Sequence, residues 1–235
     1  MKSVPFLILA SLLSLLIAAL GSHLTAAWGA PVDIRLGNAT VSREVKSLRD
    51  LKYANIVRQT KDFSCGAASL ATILSHYFGM PTSEEEILET LFRKADRATI
   101  KRVREQGISL LDLKLYAESR GLVGKGLRME PARLDTLDRP AIVLINLHGY
   151  SHFVVIRGVE GGKVYLADPA RGHWFRTLEE FGQLWNGILL AFMRGDGERV
   201  TAHDLEIKPF WSRGLTELLP ADLLSLQFVR GANEF

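Results

Sequence analysis

Up to Pro140 the apolar residues of this chain recur at helical spacing, and beyond it they gather into short strand-like runs. That change of texture restricts the fold to helices laid down first and an antiparallel sheet laid down after them, the α+β class. Between Ser64 and Phe78, Leu70, Ile73, Leu74 and Tyr77 share one helix face, with alanines at 67, 68 and 71, and Gly79 followed by Pro81 closes the element. The spacing predicts a buried, alanine-rich helix that begins at Cys65. A second helix is predicted from Ser83, with Glu86 three residues on as a capping box and Ile87, Leu88 and Leu91 as its apolar stripe. Lys94 to Gln106, with five basic and two acidic side chains, reads as a solvated loop or surface helix. Ser109 caps a third helix, Leu110 to Ser119, closed by Gly121. After Pro140, strands are predicted over 141–147, 151–159 and 163–167, with Glu160-Gly161-Gly162 as a hairpin turn. Residues 173–176 extend the sheet, 178–185 form a short helix and 188–193 a last strand.

The balance of 47% hydrophobic and 23% charged residues in 235 is that of one globular domain with appendages. A net charge of +3 is too small to signal nucleic acid or a polybasic membrane surface. Lys2 is followed by an uncharged run from Val4 to Leu20 and then by small residues as far as Ala30, the layout of a secretory signal. The expected division is a signal peptide or uncleaved anchor over 1–29, a lead-in over 30–54, the main domain over 55–194 and an amphipathic extension over 195–235. Membrane contact is expected only through the N-terminal segment if it stays uncleaved, and delivery to the periplasm follows from that segment.

One cysteine, Cys65, excludes an internal disulfide and a metal-thiolate cluster. An unpaired thiol in an oxidising compartment is open to oxidation and mixed disulfides, so its retention asks for a reason. A thiol becomes a nucleophile when its thiolate is stabilised, and the first turn of a helix does this with free N–H groups and the positive end of the dipole. Cys65 sits at such a position, and Gly66 beside it leaves room for a substrate backbone.

A cysteine nucleophile needs an imidazole to take its proton and a third group to orient the ring. His152 lies just inside a strand, and Asp168 ends the next one. In a hairpin regular about Gly161-Gly162 the two lie opposite or nearly opposite each other, so one sheet end presents both. His148 is close enough to be a rival base, whereas His23, His76, His173 and His203 show no comparable pairing.

Gln59-Thr60-Lys61-Asp62-Phe63-Ser64-Cys65-Gly66-Ala67-Ala68-Ser69-Leu70 resembles the Gln-(x)5-Cys-Gly-x-Ala-x-Leu opening of the C39 peptidases, the bacteriocin-processing, papain-like cysteine peptidases. Gly107-Ile108-Ser109-Leu110-Leu111-Asp112-Leu113 is similar to the family's third helix, and Gly149-Tyr150-Ser151-His152-Phe153-Val154-Val155 to its histidine strand. Asp168-Pro169-Ala170-Arg171-Gly172 resembles its Asp-Pro-x-x-Gly turn. The resemblance implies a papain-like fold with a helical subdomain packed on an antiparallel sheet. It also implies Cys65 as nucleophile, His152 as general base and then acid, and Asp168 as the group that orients the imidazole. To these it adds Gln59, whose amide would join the Cys65 backbone N–H as oxyanion donor.

Two departures stand out. There is no P-loop or multi-span region, and Ser64 occupies the place before the cysteine where many members have Asp. The likeness is therefore nearest to stand-alone, exported C39-like peptidases that accompany bacterial functional-amyloid (Fap) secretion systems. Hydrolysis of a secreted or amyloid-forming polypeptide through a Cys65 thioester is the expected activity. Its rivals are a non-catalytic substrate-binding module and a thioester transpeptidase. No metal or organic cofactor is required by this chemistry.

Overall fold

The computed structural model describes residues 31–36, 39–44, 47–93 and 95–207. The leader and the amphipathic stretch from Pro209 to Val229 lie outside these residues. No described helix is long and apolar enough to cross a membrane.

Of the described residues, those up to Leu51 form one compact unit and those from Lys52 another. In the first, β1 (Pro31–Leu36) and β2 (Ala39–Glu44) pair as an antiparallel hairpin within the lead-in. A short helix, α1 (Leu48–Lys52), follows.

The second unit opens with four helices, α2 (Cys65–His76), α3 (Glu84–Arg93), α4 (Arg97–Gln106) and α5 (Leu110–Ser119). Their starts obey the capping chemistry of the sequence. Ser83 Oγ accepts the Glu86 N–H at 3.0 Å, and Ser109 and Asp112 complete a reciprocal capping box. Helix α4 buries only Val103, as its charge pattern requires. Helix α2 is buried along its length from Cys65 to Leu74, because its small residues let neighbours close in on every side.

The strands are β3 (Leu122–Arg128), β4 (Ala141–Leu147), β5 (Tyr150–Glu160), β6 (Lys163–Asp168), β7 (Gly172–Thr177) and β8 (Trp185–Arg194). They make one antiparallel sheet in the order β3-β8-β4-β5-β6-β7. The α+β expectation holds, with a helical layer packed on the sheet. Phe153, Val155 and Ala167 face α2, whereas Val154, Ile156, Val164 and Leu166 form a second core with α6 (Leu178–Leu184) on the other face.

Strand β3 and the 3-10 turn at Pro131–Thr136 were not expected, since strand texture was read only from Pro140 onward. Gly124 and Gly126 erase the alternation in β3, and its partner β8 is far away in sequence. Gly124 is there for close packing, because a Cβ at that position would meet Lys114 Cγ at 2.8 Å. Beyond β8 the chain stays on the domain as far as Ile207. Leu205 is fully buried, the Asp204 N–H donates to the His76 carbonyl at 2.9 Å, and Arg157 donates to the carbonyls of Leu205 and Glu206.

Candidate active site

Three elements converge on the lone thiol. Cys65 is the first residue of α2, and Ser64 before it is turned back on its own loop, donating its hydroxyl to the Lys61 carbonyl at 2.7 Å. The first-turn N–H groups of α2 are thus left without a side-chain cap. The Phe153 N–H, from β5, points at Cys65 Sγ at 3.5 Å. Such a donor complements negative charge on sulfur.

Gly66 has a different use from the one its sequence position suggested. A Cβ there would meet Phe153 Cδ2 at 3.2 Å and Leu113 Cδ1 at 3.3 Å, so the space beside it is filled by core side chains rather than open to a substrate. The glycine lets the start of α2 press against β5 and α5, and that approach carries the sulfur to the Phe153 N–H.

His152 and Asp168 are brought together, but not by a regular hairpin. Pairing runs Glu160 with Lys163, Val159 with Val164 and Gly158 with Tyr165, and then shifts by one, so that Ile156 faces Leu166 and Val155 faces Ala167. Arg157 is the extra residue of a β-bulge. In an unbroken ladder Asp168 would fall opposite Val155 and share a face with Phe153, leaving His152 on the far side of the sheet. The bulge reverses this parity, so Asp168 and His152 stand diagonally on one face. His152 Nε2 lies 2.8 Å from Asp168 Oδ1.

The carboxylate is buried completely and well supplied with donors. Oδ1 also accepts the N–H groups of Ala170 at 2.8 Å and Arg171 at 3.1 Å, the Asp-Pro turn closing on its own side chain. Oδ2 accepts the Trp174 indole N–H at 3.1 Å. Burial alone would raise the Asp168 pKa, but the bond and charge of His152 and the two backbone donors outweigh it and hold the carboxyl below its ordinary value. Burial would likewise lower His152, yet its hydrogen bond to Asp168, the neighbouring Cys65 and the charges of both push it up to about 9. With Nε2 donating to the carboxylate, Nδ1 is the free ring nitrogen. It is buried and has no hydrogen-bond partner among the described residues.

The other histidines are placed elsewhere. His148 sits exposed on the β4–β5 turn at φ +54° and makes no hydrogen bond among the described residues. His173 Nε2 donates to the Ala54 carbonyl at 2.7 Å, and His76 lies 3.5 Å from Asp204.

Gln59 lies beside the Asp168 turn, its backbone N–H donating to the Pro169 carbonyl at 3.2 Å. Its side-chain Nε2 donates to the Lys61 carbonyl at 3.4 Å, and its Oε1 is buried without a partner among the described residues. The loop after it is clamped by the buried Glu84 carboxylate, which accepts both the N–H and the hydroxyl of Thr60, at 2.9 and 2.7 Å. Sequence reasoning missed Glu84 and Trp174, since neither has a local pattern that distinguishes it from helix-start acid or sheet aromatic.

A cleft of about 690 Å³ opens on Cys65, walled by Phe63, Ser109, Leu144, Tyr150, Phe153 and Ile188. Gln59 is not among its lining residues. Tyr150 stands at the mouth, its hydroxyl donating to the Asp62 carbonyl at 2.9 Å.

The sequence profile described as the peptidase C39 family matches residues 53–197, which span this whole arrangement. The chain belongs to the peptidase C39 family. This C39 peptidase is 45% identical over 155 residues to a protein from Pseudomonas aeruginosa named probable functional amyloid protease FapD, covering 66% of this chain and 67% of that one. A protein of the same name from Pseudomonas fluorescens is 40% identical over 161 residues, with 68% and 70% covered. The crystal structure of the peptidase domain of Streptococcus ComA, a bi-functional ABC transporter, matches with a TM-score of 0.50 at 21% identity. It covers 59% of this chain and 97% of that domain, and it confirms the fold. The C39 peptidase described here is accordingly a cysteine peptidase, with helices and sheet in the papain-like arrangement.

Proposed function

We propose that this C39 peptidase is an exported endopeptidase that cuts a secreted or amyloid-forming polypeptide of a dedicated bacterial secretion system, through a thioester on Cys65. The observation that carries the chemistry is the His152–Asp168 bond, which leaves the buried Nδ1 of His152 as the free nitrogen next to a thiol at a helix start. The client class rests on the similarity to the two Pseudomonas functional amyloid proteases.

In this reading Nδ1 takes the Cys65 proton, and the sulfur attacks the scissile carbonyl carbon. The Cys65 N–H, uncapped at the helix start, donates to the resulting oxyanion. Collapse of the tetrahedral intermediate breaks the C–N bond, and Nδ1–H delivers its proton to the departing amine. His152 then accepts a proton from water as that water attacks the thioester, and the acid product leaves with Cys65 regenerated. Asp168 holds Nε2–H throughout and stabilises the imidazolium. Gln59 supplies a second oxyanion donor when its amide turns from the Lys61 carbonyl into the cleft.

Alkylation of the single thiol by iodoacetamide tests the pair without a known substrate. Cys65 is expected to react faster in the wild type than in His152→Ala at neutral pH, and equal rates would overturn the pairing. Hydrolysis is then separated from acyl transfer by adding an amine nucleophile and looking for adducts. For Gln59→Ala, kcat is expected to fall about 100-fold with KM little changed, the signature of a donor used only in the transition state. An unchanged kcat would remove Gln59 from the oxyanion site.

A further inference from the structure

On one face of the sheet, His152 of β5, Asp168 of β6 and Trp174 of β7 form a continuous hydrogen-bonded row across three adjacent strands. The register explains the row. Trp174 pairs with Leu166, two residues before Asp168, so its indole lies diagonally next to the carboxylate on the face that the bulge at Arg157 gives to His152. From these placements we infer that Trp174 is a positioning residue for the peptidase reaction, orienting the Asp168 carboxylate so that His152 presents Nδ1 to the thiol.

The argument comes from counting donors. Asp168 is fully buried, so no bulk water reaches either oxygen. Oδ1 carries three donors, from His152, Ala170 and Arg171. Among the described residues Oδ2 has one, the Trp174 N–H at 3.1 Å. A buried carboxylate oxygen with no donor bears a heavy desolvation cost. Without the indole the group relieves this by rotating Oδ2 toward one of the donors on Oδ1, or by taking up a proton. Either change disturbs the imidazole that Oδ1 orients.

An indole also suits the task mechanically. Its N–H is fixed in the plane of a rigid bicycle, and Trp174 is packed against the second core and covered by the Arg176 guanidinium 5.0 Å from its ring centroid. It therefore fixes a direction as well as supplying a proton. Trp174 is not among the residues lining the cleft, so its influence reaches the substrate only through Asp168 and His152.

This inference rests on the catalytic reading of Cys65, His152 and Asp168, and its test separates the two. Trp174→Phe keeps an aromatic ring and removes the donor. Its kcat is expected to fall about tenfold with KM within about twofold of the wild type. The acid side of its kcat/KM profile is expected to move to higher pH, because Asp168 loses a donor to its charged form. Iodoacetamide alkylation of Cys65 is run alongside on the wild type, His152→Ala and Trp174→Phe. If His152→Ala slows alkylation while Trp174→Phe changes neither kcat nor the acid limb, the role of Trp174 is overturned and the catalytic pair stands. If His152→Ala leaves alkylation unchanged, the catalytic pair itself fails. Should Trp174→Phe not fold, site-specific 3-benzothienylalanine at position 174, which keeps the bicycle and lacks only the N–H, carries the same expectations.

Discussion

Cys65→Ala is expected to abolish peptide-bond cleavage and to leave a folded domain. The sulfur is the only thiol in the chain, and it lies at the helix start where the cleft, the uncapped N–H groups and the Phe153 N–H meet. Removing it is expected to reduce turnover by about 10⁴-fold or more, to the background of a site that can bind but not attack. Its contribution to packing is small by comparison. Cys65 is buried at the edge of the helix–sheet core, and trading its sulfur for hydrogen is expected to cost about 1 kcal/mol of stability. Cys65→Ser is expected to be nearly as inactive, since an alcohol needs far stronger base activation than a thiol. Assay of a peptide substrate beside a thermal melt checks both parts. Retained cleavage in Cys65→Ala would move the chemistry elsewhere.

His152→Ala is expected to be comparably inactive and, in addition, to change how stability depends on pH. The ring is held up to about 9 in the folded chain against 6.5 as its ordinary value. A folded-state pKa raised in this way contributes stability that is fully present below pH 6.5 and is lost as pH rises toward about 9. For a nearly inaccessible group the swing across that window is on the order of 3 kcal/mol. The wild type should therefore melt at progressively lower temperature between neutral and mildly alkaline pH, and His152→Ala should lack that part of the slope. Thermal melts at several pH values across the window decide it, and parallel curves for the two proteins would sink the assignment. Asp168 acts in the opposite direction. Its depressed pKa contributes stability above the ordinary carboxylate range that is lost as pH falls through the folded value.

Much of the fold was legible because local chemistry and tertiary structure agree over most of the second unit. Gly79, Ser83, Ser109 and the Glu160-Gly161-Gly162 turn mark element ends that the structure reproduces to within a residue or two. Strand β3 was not legible, because Gly124, which serves packing against α5, and Gly126 leave no alternation to read. Cys65, His152 and Asp168 stood out by type and spacing. What joins the last two did not, because no residue in the hairpin announces the bulge at Arg157. Gly66 was misread for a related reason: a glycine's purpose depends on what lies beside it, here Phe153 and Leu113. Glu84 holds a loop 24 residues away, and Trp174 reaches Asp168 only through the β6–β7 register, so the fold alone shows what they hold.

The extra residue at Arg157 has a consequence for descent. The separation between His152 and Asp168 along the chain is free to vary, but its odd or even character within the paired strands is not. Gaining or losing one residue inside either paired stretch would turn the histidine and the carboxylate to opposite faces, whatever the residue's chemistry. Length changes in this hairpin are therefore confined to the Gly161-Gly162 tip, or must come in compensating pairs. Alignments of related chains should show gaps distributed in that way.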